Sequence, residues 1–99
     1  MEKTIFTLEE IKERIKSVKE KYNIESIYIF GSYARGEATE TSDIDLYCSP
    51  GNVKGLIERV GMIQNFETVL DKKVDLVIIG SQMNDAFKTE IEKDMIKIF

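Results

Sequence analysis

The chain has 99 residues, enough for one domain around a single modest core. Hydrophobic residues make up 42% and charged residues 32%, a globular balance, and the net charge of -4 works against unspecific binding to nucleic acid or to an anionic membrane. One cysteine, Cys48, and no histidine exclude an internal disulfide, a zinc site of His and Cys, and any Ser-His-Asp or Cys-His relay within the chain.

Catalysis in such a chain must rest on carboxylates, metal ions, backbone dipoles, hydroxyls, Lys or Arg. The charged start and the lack of an apolar run of membrane-spanning length point to a reducing, cytoplasmic location. No repeat, linker or low-complexity stretch interrupts the sequence, so residues 1–99 read as a single domain.

Residues 7–22 predict an amphipathic helix, with Leu8, Ile11, Ile15, Val18 and Tyr22 at alternating three and four spacing. Thr7 and Glu10 have the spacing of a capping box at its start. The β-branched and aromatic run 26–30 predicts a buried strand ended by Gly31-Ser32. Residues 33–42 are polar and turn-like, with room for a short helix starting at Ser32. Residues 43–48 alternate strictly and predict a second strand; Ser49-Pro50-Gly51-Asn52 is a turn. Val53, Leu56, Ile57, Val60, Ile63 and Phe66 mark a second long helix. Residues 73–79 predict a third strand ended by Gly80-Ser81. Met83, Phe87 and Ile91 mark a third helix, and 95–99 reads as a short final strand or an ordered end. The order predicts an α/β fold: a small mixed sheet of three to four strands packed with helices.

The Gly31-Ser32 turn suits phosphate oxygens, because glycine permits close approach and a helix start presents free N–H groups. A P-loop does not fit: Gly31 and Gly36 have its glycine spacing, but Glu37 and Ala38 stand where Lys and Ser/Thr are required. Asp43 and Asp45 share one strand face, while Ile44, Leu46 and Cys48 share the other and face the core. Two carboxylates at roughly 4 Å repel by about 4 kcal/mol at an effective dielectric near 20. They persist as a solvated pair, by sharing a proton, or by holding a hard cation such as Mg²⁺ or Mn²⁺. Asp75 interrupts an otherwise apolar strand, and it joins the pair if that strand lies beside 43–48. Otherwise it is a solvated strand end.

Gly31-Ser32-Tyr33-Ala34-Arg35-Gly36 followed by Ser42-Asp43-Ile44-Asp45-Leu46 resembles the signature of the polymerase-beta-like nucleotidyltransferase superfamily. The chain is most similar to the minimal nucleotidyltransferases, the small antitoxin partners of HEPN-domain toxins in prokaryotic pairs. The resemblance runs from the first helix through the Val74–Val77 strand. It implies that Gly31 and Ser32 hold the triphosphate of an NTP. It implies that Asp43 and Asp45 coordinate two divalent ions, Mg²⁺ or alternatively Mn²⁺. Asp75 matches the third carboxylate, which binds one ion and helps to activate the acceptor. Arg35 matches the Arg-Gly pair and either contacts phosphate or braces the loop. Tyr33 and Tyr47 either line the pocket or, in the preferred reading, pack.

The expected chemistry is transfer of a nucleoside monophosphate, AMP from ATP, to an acceptor hydroxyl. Larger members carry an acceptor-binding domain for which this chain has no room. The resemblance therefore implies a tyrosine of a HEPN-type toxin as acceptor, and no direct role for nucleic acid or membrane. The alternative is a binding module that neutralises its partner by contact, the carboxylates being vestigial. Transfer to a small molecule is disfavoured, and the chain leaves room for a homo-oligomer.

Overall fold

The computed structural model describes residues 5–49, 51, 53–78 and 85–99. The expected turn residues Pro50 and Asn52, the strand end at Ile79 and Gly80-Ser81, and Met83 lie outside them, as does the side chain of Phe87.

Helix α1 spans Leu8–Tyr22. The capping box forms as predicted: Glu10 N–H donates to Thr7 Oγ1 at 3.1 Å and Thr7 N–H donates to Glu10 Oε1 at 2.9 Å. Asn23, in the left-handed region with φ 53°, ends the helix. Ile11, Ile15 and Val18 form its buried stripe. Strand β1 spans Ile27–Phe30, one residue shorter than predicted at its start. Helix α2, a single turn, spans Ser32–Arg35, and strand β2 spans Ile44–Cys48. Helix α3 spans Leu56–Leu70, strand β3 Val74–Ile78, helix α4 Asp85–Asp94 and strand β4 Ile96–Lys97.

The four strands form one mixed sheet in the order β3-β2-β1-β4. β1 runs antiparallel to β2 and β4, and β2 runs parallel to β3. The tail thus resolves into a strand, and the predicted α/β mixed sheet has its upper number of strands. Register places Ile27 and Ile29 beside Cys48 and Leu46, and Ile44, Leu46 and Cys48 beside Val74, Leu76 and Ile78. These eight are all buried on one face, where α1 and α3 cover them. The alternation predicted for 43–48 holds there: the apolar set faces the core.

α3 departs from its predicted boundaries. It begins at Leu56 rather than Val53 and continues four residues past Phe66, to Leu70. Leu56 and Ile57 are 76% and 88% exposed, and the buried line is Met62, Phe66 and Leu70. The inward face is therefore set by i, i+4 and i+8 residues of its later turns, and the first turn projects past the sheet. Two polar residues of α3 also serve the sheet. Val74 N–H donates to Glu67 Oε2 at 3.0 Å, and Arg59 Nη2 donates to the Leu76 carbonyl at 3.3 Å. Both satisfy outward backbone groups of an edge strand that would otherwise invite pairing.

The second face is less covered. α4 packs near β1, and Ile91 and Tyr47 are buried there, apart from the main core cluster. The Tyr28 and Tyr47 rings lie 6.2 Å apart. Among the described residues no helix is long and apolar enough to cross a membrane.

Candidate functional site

Strand register builds the site. Phe30, Asp45 and Asp75 are Cα partners, one row across β1, β2 and β3. Because their core-facing neighbours alternate with them, all three point to the second face. The strand adjacency on which Asp75 depended is therefore present, and Asp45 and Asp75 share a side-chain hydrogen bond.

Gly31 follows Phe30 with φ 73°, a left-handed value that favours glycine. A Cβ there would collide with the Asp45 carboxylate. Glycine is thus required twice, by the backbone turn and by the approach of the carboxylate. The turn then enters α2, where Arg35 N–H donates to the Gly31 carbonyl at 3.1 Å and Glu37 N–H to the Ser32 carbonyl at 2.9 Å. The first N–H groups of such a turn lack intrahelical acceptors. Ser32 is half-buried at its start.

Between α2 and β2 the chain is braced by Ser42. Its Oγ accepts from Thr39 N–H at 2.9 Å, and its own N–H donates to the Thr39 carbonyl at 3.1 Å. Lys72 Nζ donates to the Glu40 carbonyl at 2.9 Å, which ties the loop to the β3 side. Ser42 thereby anchors the loop end from which Asp43 leads into β2, which begins at Ile44, one residue later than predicted.

Asp45 is half-buried, while Asp43 and Asp75 are exposed. Burial, first, and then the hydrogen bond and negative charge of Asp75 and the charge of Asp43 push the Asp45 carboxyl up to about 6; Arg35 opposes the shift. Asp45 thus keeps its proton into a range where an ordinary carboxyl has lost it. Hard, adjacent carboxylate oxygens of this kind fit a divalent cation, which would replace that proton. Among the described residues no three ligating groups stand close enough to form a ready-made cage, so the fit rests on Asp45 and Asp75, with Asp43 acting on them through its charge.

Gly31, Ser32, Asp45 and Asp75 are therefore gathered at one end of the sheet. Arg35 lies on the rim, with Nε 3.5 Å from Glu37 Oε2 and Nη1 3.5 Å from Asp94 Oδ2. It braces the turn against the end of α4 and adds positive charge near Asp45. Tyr33 and Tyr47 are both buried, so packing is their role here; among the described residues the Tyr33 hydroxyl has no hydrogen-bond partner. A depression of about 390 Å³ opens beside the carboxylates, lined by Phe30, Asp45, Asp75, Leu76 and Val77. Sequence reasoning passed over Phe30 and Val77. The signal was available: Val77 is two residues from Asp75 on the same strand face, and Phe30 directly precedes the Gly-Ser turn.

The family model for polymerase beta, nucleotidyltransferase, matches residues 12–99. A Methanocaldococcus jannaschii protein, provisionally named a protein adenylyltransferase, is 47% identical over 100 residues, covering 93% of this chain and 98% of that protein. The protein adenylyltransferase MntA of Thermococcus cleftensis is 32% identical over 93 residues, covering 90% of this chain and 94% of its own length. Among solved structures, a complex of tri-AMPylated Shewanella oneidensis HEPN toxin with MNT antitoxin contains a chain of the same fold. Its TM-score is 0.70 at 21% identity, over 93% of this chain and 71% of that chain.

Proposed function

The chain belongs to the polymerase beta nucleotidyltransferase family, and on that premise we propose that it transfers AMP from ATP to a tyrosine hydroxyl of a HEPN-type toxin and so acts as its antitoxin. The observation that carries the reading is the row of Asp45 and Asp75 beside the Gly31-Ser32 turn. The name of the Thermococcus relative supports the adenylyl group, and the AMPylated HEPN toxin of the fold neighbour supports the class of acceptor.

In the proposed reaction the acceptor oxygen bonds to the α-phosphorus, the bond to the β-phosphate oxygen breaks, and pyrophosphate leaves. The Ser32 hydroxyl and the N–H groups at the start of α2 hold the phosphates. Asp45 and Asp75 take the acceptor proton. Asp45 and Asp75 would hold Mg²⁺, for which Mn²⁺ can substitute, with Asp43 adding its negative charge beside them, and the metal charge would offset that of the phosphates and of the departing pyrophosphate. Gly31 keeps the phosphate turn against Asp45, which would bring donor and carboxylates together.

Incubation with ATP, Mg²⁺ and the partner toxin tests the reading. AMP should appear on the toxin with the native chain and not with the double variant Asp43→Ala plus Asp45→Ala. Neutralisation of the toxin by that variant, with no AMP attached, would instead mean inhibition by contact.

A further inference from the structure

The depression beside Asp75 has a composition that phosphate binding does not explain. Among the described residues it is lined by Phe30, Val77, Leu76 (whose side chain turns to the core) and the two aspartates; no Lys or Arg lines it. Without a cation on the carboxylates a phosphate chain would be repelled there. α2, whose start is the anion-binding turn, packs on β1 and β2, whereas three of the five lining residues belong to β3. The depression therefore runs from Phe30, next to the phosphate turn, across Asp45 toward the β3 edge. At about 390 Å³ the space suits one small group rather than a nucleotide together with its acceptor.

We propose that Phe30 and Val77 are the acceptor-specificity residues: they form an apolar slot for the ring of a phenol, whose hydroxyl then reaches Asp45 and Asp75. The proposal rests on the nucleotidyl-transfer reading above and adds which acceptors the site selects. A flat ring can lie against the Phe30 ring and the Val77 methyls at once. A serine or threonine side chain is too short to touch both walls and the carboxylates together. An acidic group is repelled by the same carboxylates. Phe30 and Val77 touch the acceptor ring and not the transferred phosphate, so they discriminate among acceptors and take no part in proton transfer.

The test is a methyl NMR titration of the full chain, without nucleotide or metal, against p-cresol and, separately, ethanol. The slot predicts saturable shifts of the Val77 methyls with p-cresol and none with ethanol. It also predicts at least tenfold weaker p-cresol binding in Val77→Asp. Phe30→Leu should weaken it as well, which covers the case in which Val77→Asp fails to fold. Unsaturable or absent p-cresol shifts at Val77 overturn the proposal. So does displacement of p-cresol by a non-hydrolysable ATP analogue with Mg²⁺, because the slot would then belong to the base. The titration needs no catalysis, so its failure is distinct from a failure of AMP transfer. Absent shifts with intact transfer to the toxin overturn the slot alone, whereas absent transfer with intact shifts overturns the transfer reading.

Discussion

Asp45 carries the clearest conflict between stability and chemistry. Its carboxyl titrates at about 6, against an ordinary 3.8, because burial and Asp75 both oppose its charge. The native state thus holds a proton that the unfolded chain releases at lower pH. The stability this group contributes is complete below about 3.8 and is lost as pH rises through about 6. Asp45→Asn should therefore raise the Tm of the metal-free protein at pH 7.5 and change it little at pH 4, as read by thermal unfolding. Mg²⁺ should stabilise the native protein at pH 7.5 and lose that effect in the variant. A variant destabilised most at pH 7.5 would contradict this. Gly31→Ala meets both a left-handed backbone and the Asp45 carboxylate. It should cost roughly 1–3 kcal/mol in denaturant unfolding and lower AMP transfer with it. Tyr33 makes the opposite case: its buried hydroxyl is unpartnered among the described residues, so Tyr33→Phe should leave stability unchanged or raise it by up to about 1 kcal/mol.

At the scale of elements, α3 shows where energy is stored. Phe66 is fully buried and Ile57 is 88% exposed on the same helix. Phe66→Ala should cost about 3–5 kcal/mol, and Ile57→Ser should stay within about 0.5 kcal/mol, by urea unfolding. Equal effects would show that the helix is seated differently. The same helix marks the limit of sequence reading. α1 was legible to the residue because its cap and its stripe are local chemistry: Thr7 with Glu10, then Ile11, Ile15 and Val18. α3 has no side-chain cap at Gly55, and its apolar residues lie on more than one side. Periodicity alone could not choose among those sides; the sheet does. The candidate site divides in the same way. The apolar face of Ile44, Leu46 and Cys48 follows from strand geometry, whereas Asp43 precedes the strand that was expected to carry it. Asp75 standing beside Asp45 needed the β2–β3 pairing, a long-range contact that local pattern does not encode. Phe30 joins Asp45 and Asp75 through the row that this pairing creates, and Val77 stands two residues beyond Asp75 on the same strand face.

As a whole, the molecule is asymmetric across its sheet. One face is sealed by α1 and α3, and the other is left partly open where Phe30, Asp45 and Asp75 line up. In the proposed reaction the nucleotide's phosphates and the acceptor hydroxyl lie on this open side. The most direct measurement is the intact mass of the HEPN-type partner after incubation with this chain, ATP and Mg²⁺. AMP additions with the native chain, lost with Asp43→Ala plus Asp45→Ala, are the predicted result. An unmodified partner, or the same additions with the double variant, would contradict the account.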